Sequence, residues 1–191
     1  MSYLIPTEDL SLAQQEQRRR DAVVLGAQAL VGKSVVGAAS MVDDRAAEYA
    51  IDFIQQTTTA ALALGLAGWL TMPLAAVGTR YSVFATNAPL AVNPIVPINQ
   101  VWVFYGVAIN TPGRVVSNML FTKGTAGNRY RFFDLEPLYS KMTTDGYFTQ
   151  PVVYVPSDVV GCTVMCRVPT NLAAEVVLKT LVLEPKGQNV T

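Results

Sequence analysis

Two cysteines, Cys162 and Cys166, carry the only thiols of the chain. In a strand that rises about 3.3 Å per residue they stand roughly 13 Å apart, which is too far for a disulfide between them. A C-x-x-x-C pair without a further Cys or His is a poor zinc motif, and two unpaired thiols are typical of a reducing compartment. We therefore predict two buried, reduced core thiols, with neither redox chemistry nor an intermolecular disulfide.

Asp134 and Glu136 flank Leu135 at the end of a predicted strand. Two carboxylates so placed can share a metal ion or act as an acid and base pair, but no third ligand accompanies them in the sequence. The chain contains no histidine, which is the usual general base at neutral pH and the commonest metal ligand. The sequence therefore predicts a solvated strand end here, no metal, no cofactor, and a protein that is not an enzyme.

Arginines alternate with aromatic residues at Arg129, Tyr130, Arg131 and Phe132. With the nearby rings these residues can line a sugar-binding groove; the alternative is that the rings belong to the core. The further rings are Phe133, Tyr139, Tyr147 and Phe148. Fourteen basic and fourteen acidic residues cancel over the 191-residue chain, so we expect no specific nucleic-acid partner, although a local basic patch stays open.

The elements that must position these residues begin with the stretch 158–168. Its even positions are Val160, Cys162, Val164, Cys166 and Val168, all apolar, whereas the odd positions are mixed. This period of two predicts a half-buried strand. Residues 174–184, rich in Val, Leu and Thr, follow Pro169 and are predicted as its partner strand.

Other short strands are predicted at 81–85, 101–109, 114–122, 129–135 and 148–155. The Pro112-Gly113 pair predicts a hairpin between 101–109 and 114–122, Asp145-Gly146 predicts a tight turn, and 137–144 a short helical turn. About seven or eight antiparallel strands of this spacing predict a mainly β fold, a jelly-roll-like β-sandwich.

The first part of the chain has a different composition, poor in proline and aromatic residues before Arg80. Ser11 and Gln14 predict a capping box, followed by a helix from Leu12 with an apolar stripe from Val23 to Val31. A second helix is predicted from Asp43 or Asp44. We therefore divide the chain into a helical N-terminal arm, residues 1–80, and a β-sandwich body, residues 81–191, which we expect to fold without the arm.

No charged residue occurs between positions 53 and 79. By length this stretch can span a bilayer, but few of its residues are large and apolar and Pro73 interrupts it. The preferred interpretation is an arm packed between neighbouring subunits, and membrane anchoring is the alternative.

The stretch 101–109 is apolar on both faces, so one face needs a cover other than the partner sheet. This surplus of apolar surface predicts an oligomer, most simply a trimer. The predicted assembly interface consists of apolar residues of the arm and of one strand face: Leu30, Val31, Leu62, Leu64, Leu66, Trp69, Val101, Val103 and Tyr105.

A helical, small-residue arm joined to a proline-punctuated antiparallel sandwich resembles the minor capsid and head-decoration proteins of tailed bacteriophages, and more loosely other viral jelly-roll proteins. The resemblance is one of architecture over 1–80, 101–122 and 158–184, so it carries over no functional residue. It implies a non-enzymatic virion protein, often trimeric, assembled in the host cytoplasm, with the major capsid protein or other virion subunits as partners. A membrane-anchored or glycan-binding or receptor-binding β-sandwich is the alternative.

Overall fold

A computed structural model describes residues 3–32, 42–45, 71–74, 77–83, 94–109, 113–168 and 170–186. In chain order its strands are β1 (Leu4–Pro6), β2 (Val42–Arg45), β3 (Thr71–Leu74), β4 (Arg80–Ser82), β5 (Val101–Ile109), β6 (Val116–Lys123), β7 (Asn128–Asp134), β8 (Asp145–Tyr154), β9 (Val160–Cys166) and β10 (Thr170–Pro185). Its helices are α1 (Leu12–Val31) and the short α2 (Glu136–Ser140), and a single 3-10 turn covers Thr7–Asp9.

The strands form two antiparallel sheets that pack face to face. The larger sheet has the order β1-β8-β5-β10-β2, with β3 also paired to β10. The smaller sheet has the order β4-β9-β6-β7. The predicted fold class, a mainly β antiparallel sandwich with a helical N-terminal segment, is confirmed, and the strands from Arg80 onward are the seven from β4 to β10.

The core between the sheets is rich in aromatic rings. Phe133 stacks on Phe148 with ring centroids 4.0 Å apart, and Phe121 meets the edges of both rings. The hydroxyl of the fully buried Tyr154 donates to Thr122 O at 2.7 Å, which satisfies its polar atom inside the core. The even positions of β9 from Val160 to Cys166 are buried in this core, as predicted.

Helix α1 covers the outer face of the larger sheet. The predicted capping box is present, since Ser11 and Gln14 exchange side-chain and backbone hydrogen bonds. The helix contacts the sheet through small residues: a Cβ on Gly26 would lie 2.6 Å from Val103 Cγ2 and 2.7 Å from Leu183 Cδ1. Because Gly26 has no side chain, the helix can lie close to the sheet. Val24, which belongs to the predicted apolar stripe, is 41% exposed.

Two predicted pairings are wrong, and both errors concern which sheet a strand joins. Strand β5 does not form a hairpin with β6, because the chain crosses from the larger to the smaller sheet between them. Strand β10 is not the partner of β9, which pairs with β4 and β6 instead. Val168, predicted on the buried face, lies beyond the end of β9 and is 48% exposed.

Local turn signals were also partly misleading. The short helical turn predicted within 137–144 is present as α2, which covers Glu136–Ser140. Asp145-Gly146, predicted as a tight turn, begins strand β8, and Gly146 is buried against β1. The second helix predicted from Asp43 or Asp44 does not begin there, because these residues belong to strand β2; its remaining residues lie outside the described part.

A bulge at Tyr105 changes the faces of β5. The partners of β5 on both sides shift between Phe104 and Gly106. Strict alternation along β5 would place Val107 and Ile109 on the same face as Val101, but both lie in the core between the sheets with Phe104. A residue inserted into a strand reverses the alternation that follows it, and the sequence pattern alone did not reveal the insertion.

The strands and the long helix described before residue 75 are built into the larger sheet. Strands β1, β2 and β3 pair with β8 or β10, and α1 covers the same sheet. No described helix is long and apolar enough to cross a membrane; of the stretch 53–79, residues 53–70 and 75–76 are outside the described residues.

Candidate functional site

Asp134 and Glu136, the two carboxylates that flank Leu135, both bond to other groups of the protein. Asp134 Oδ1 accepts a hydrogen bond from the backbone N–H of Glu136 at 3.1 Å, which fixes the start of α2. Glu136 forms an ion pair with Arg167. No group of metal-ligating side chains occurs among the described residues, so both carboxylates have structural partners instead.

The two cysteines are free and buried, as predicted. Burial raises the pKa of the Cys162 thiol well above its ordinary value, and burial also raises the pKa of Cys166. Because the thiolate is the nucleophile and the metal ligand, two thiols that stay protonated are unreactive at neutral pH.

A cleft of about 650 Å³ lies beside helix α1, and we call it the α1–β8 cleft. It arises from the irregular pairing of β5 with β8. Phe104 pairs with Val152 and Gly106 pairs with Tyr147, so Tyr105 alone faces the four residues 148–151. These four residues have no pairing partner in β5. The cavity volume falls in the range of roughly 300–1,000 Å³ that small-molecule sites occupy.

Three walls enclose the α1–β8 cleft. Helix α1 contributes Arg18, Asp21, Val24 and Leu25; β7 contributes Tyr130 and Arg131; β5 and β8 contribute Tyr105, Phe148 and residues 149–151 and 153. Val24 and Leu25 are 41% and 42% exposed, so the helix presents apolar side chains to the cavity. The cleft thus combines an apolar wall with two guanidinium groups.

Arg131 of β7 lines the α1–β8 cleft. Its guanidinium lies 5.1 Å from the centroid of the Tyr130 ring, and its Nη1 donates to Tyr130 O at 3.2 Å. Its buried Nε has no hydrogen-bond partner among the described residues. Unpaired buried donors are rare in folded proteins. This N–H can donate a hydrogen bond to a ligand without breaking an existing bond.

Strand β1 pairs with β8 as far as Phe148, and the Thr149 N–H donates to Tyr3 O at 3.0 Å. Next to these contacts, side chains bond the backbone of β8 along the cleft. Arg18 Nη1 donates to Thr149 O at 3.4 Å, and the Tyr130 hydroxyl donates to Val153 O at 3.0 Å. Between them Pro151 has no backbone N–H. This edge therefore offers little for adding a peptide strand, and the cleft suits a compact ligand better than an extended peptide.

Tyr105 of the cleft keeps its hydroxyl proton at neutral pH. Burial, with smaller effects of Tyr147 and nearby charges, raises the pKa of Tyr105 to about 12. Of the aromatic residues predicted to line a groove, the structure brings Tyr130 and Phe148 to the cleft together with Arg131. Phe133 and Tyr139 lie in the core instead.

A second depression, of about 230 Å³, lies at the outer face of the smaller sheet. Its lining includes Arg80, Arg129 and Arg131, which we call the arginine patch, together with Leu120, Tyr130 and Phe132. Arg131 thus borders both cavities. Arg129 and Arg131 were singled out from the sequence, whereas Arg80 was noticed only as a composition boundary, because its placement depends on β4 pairing with β9.

The predicted assembly residues are found in two groups. Val101, Val103 and Tyr105 are buried beneath α1 of the same chain, and Leu30 and Val31 are partly buried against the same cluster. The extra apolar face of β5 is therefore covered within the chain. Leu62, Leu64, Leu66 and Trp69 lie outside the described residues.

No protein-family model matches the chain, and no curated protein sequence is significantly similar to it.

Proposed function

We propose that the protein is a non-enzymatic structural subunit of a virion, a decoration or minor capsid protein that assembles as a homotrimer. An antiparallel sandwich with a helical N-terminal segment is compatible with such a role. In this proposal the partners are further copies of the chain and the major capsid protein.

The observation that carries the proposal is where β2 and β3 attach. β2 pairs with residues 182–185 of β10, and β3 pairs with residues 170–175 of the same strand. Between β2 and β3 in sequence lie Leu62, Leu64, Leu66 and Trp69, in a stretch without charge from residue 53 onward. A long segment with an uncharged, apolar second half is therefore tethered at both ends to one strand of the sandwich.

Exposed apolar surface is costly, at about 25 cal/mol per Å². The face of Val101 and Val103 cannot supply the partner surface, because α1 already covers it. We therefore assign the contacts between subunits to the stretch around Leu64, and to Leu30 and Val31 at the end of α1.

A mass measurement of the purified chain under native conditions tests this proposal. We expect the mass of a trimer for the wild type. Leu64→Glu should give a monomer that still melts cooperatively, because a charge within an apolar contact opposes association and leaves the sandwich intact. Leu12→Glu is the matched control, since Leu12 is 83% exposed on α1, and it should remain a trimer.

A wild-type chain that stays monomeric at micromolar concentration would contradict the assembly role. A trimer that Leu64→Glu leaves intact would instead contradict the assigned interface.

A second candidate, a glycan-binding or receptor-binding sandwich, is favoured by the α1–β8 cleft. Tyr130, Arg131 and Phe148, which the sequence singled out for such a groove, all line it. A glycan array probed with the wild type and with Arg131→Gln tests this role. Signal that the variant loses would support it, and a blank array for the wild type would contradict it.

A further inference from the structure

The charges of the sandwich are distributed unevenly. Four of its basic side chains form ion pairs with carboxylates: Lys123 with Asp158, Lys141 with Asp9, Arg167 with Glu136, and Lys179 with Asp145. The three arginines of the arginine patch form no ion pair among the described residues. They are grouped around one depression, although like charges repel each other.

Arg80 is held in place across the smaller sheet. Its Nη2 donates to Asn118 Oδ1 at 2.7 Å, and its Nη1 lies 3.4 Å from Thr163 Oγ1. Both partners are neutral, so they orient the guanidinium without cancelling its charge. Partial burial, and secondly the charge of Arg129, lower the pKa of Arg80.

The rest of the depression is apolar and aromatic. Phe132 is 50% exposed, and Leu120 lies beside it in the lining. The Tyr130 ring is not free for stacking, because Arg131 and Lys123 lie 5.1 Å and 5.4 Å from its centroid. One exposed ring and a cavity of about 230 Å³ fit a single ring-bearing group and not a row of stacked bases.

We propose that the arginine patch binds a phosphate or sulfate monoester of a small ring compound. The tetrahedral anion would lie among Arg80, Arg129 and Arg131, whose planar guanidinium groups donate paired hydrogen bonds to such oxygens. The ring of the ligand packs on Phe132 and Leu120. This site is separate from the surface that the assembly role uses.

Thermal unfolding at constant ionic strength tests the site, with chloride replaced stepwise by inorganic phosphate or by phenyl phosphate. A ligand that binds only the folded chain raises the melting temperature as its concentration rises. We expect both anions to raise it, and phenyl phosphate to act at roughly tenfold lower concentration because its ring adds apolar contact.

Arg129→Gln distinguishes a specific site from the general stabilisation that phosphate and sulfate give to proteins, which does not depend on one arginine. The variant should lose the dependence on phenyl phosphate and should melt higher than the wild type in chloride, because the repulsion with Arg80 is relieved. Arg114→Gln is the matched control, since Arg114 is exposed beside Tyr139 and away from the patch; it should keep the wild-type response.

Phe132→Ser distinguishes the contribution of the ligand's ring to binding from that of its anionic group. It should keep the response to inorganic phosphate and lose the advantage of phenyl phosphate. Replacing phenyl phosphate by phenyl sulfate tells which of the two monoesters the patch prefers.

Equal responses of the wild type and Arg129→Gln, or no response of the wild type, would overturn the proposal. Tighter binding of a single-stranded oligothymidylate than of phenyl phosphate would overturn the assignment to a small ring compound.

Discussion

Gly146 shows how one missing side chain sets the distance between three elements. A Cβ at this position would lie 2.8 Å from Leu138 Cδ2 on α2 and 3.0 Å from Ile5 O on β1, and it would overlap Leu4. The residue is therefore glycine because β1 and α2 pack directly on β8, and not because the chain turns there.

We expect Gly146→Ala to lower the free energy of unfolding by about 1–3 kcal/mol, the usual cost of overpacking. Urea unfolding followed by circular dichroism measures the change. Ser140→Thr adds the same methyl group at an exposed position of α2 and should leave the stability within about 0.5 kcal/mol of the wild type. Equal stability of Gly146→Ala and the wild type would mean that β1 or α2 is not packed on Gly146.

The thiols give a second prediction at this scale. Cys162 and Cys166 are 0% and 1% exposed, and burial raises the pKa of both. A disulfide reagent at about pH 8 should label neither residue in the native chain and both in denaturant, because the thiolate is the reacting species. Rapid labelling of the native chain would contradict the orientation of β9.

Among individual residues, the sequence predicted those whose environment depends on alternation within one strand. The buried positions of β9 are of this kind. It failed at Gly146 and at Tyr105, where a neighbouring element or an inserted residue decides the outcome. Neither cause can be recognised from the local pattern of apolar residues, since a glycine in a turn and a glycine beneath a packed strand have the same local sequence signal.

At the scale of elements, the N-terminal helix and strands pack on the larger sheet or pair with its strands. Val101, Val103, Leu181 and Leu183 are fully buried in the cluster beneath α1. Strand β1 pairs with part of β8, and β2 and β3 pair with β10. From composition we predicted that residues 81–191 fold alone, and that prediction is not yet tested. The packing leads us to expect the opposite.

A chain that begins at residue 77 should therefore be aggregated or unfolded, because it exposes the outer face of β5 and β10. Circular dichroism and gel filtration measure this. The matched control keeps α1, β2 and β3 and replaces residues 46–70 by a flexible polar linker; it should melt cooperatively. A truncated chain that melts as a cooperative β protein would show that the outer face of the sheet does not need its cover.

The candidate site could be predicted only in part from the sequence, for a reason that lies in the elements. Tyr130 and Arg131 were visible as an alternation of charge and aromatic rings within β7. Arg18 and Arg80 join them through the packing of α1 and the pairing of β4, which are contacts between distant parts of the chain. The strand pattern predicted a sandwich, but it did not say which strand belongs to which sheet.

For the molecule as a whole, stability should fall in alkaline solution. Burial raises the pKa of Tyr105 and of Tyr139 to about 12, and it raises the pKa of Tyr154, Cys162 and Cys166 as well. In the unfolded chain thiols lose their proton near pH 8.5 and tyrosines near pH 10, at about their reference values. The unfolded chain therefore binds fewer protons than the folded chain above these values.

Each group that titrates only in the unfolded chain lowers the free energy of unfolding by about 1.4 kcal/mol per pH unit. We expect full stability below about pH 8, a decline as the thiols titrate, and a steeper decline between about pH 10 and 12. Urea unfolding at about pH 8, 9, 10 and 11 measures the slope.

Tyr139→Phe isolates one contribution to this slope. The Tyr139 hydroxyl donates to Val116 O at 2.7 Å, so the variant should lose about 1 kcal/mol near pH 8. Between about pH 10 and 12 its decline should be shallower than that of the wild type, because one raised pKa has been removed. Tyr3→Phe is the matched control, since Tyr3 is 59% exposed, and it should keep the wild-type slope. Parallel declines of Tyr139→Phe and the wild type would mean that the Tyr139 ring is not buried as the structure places it.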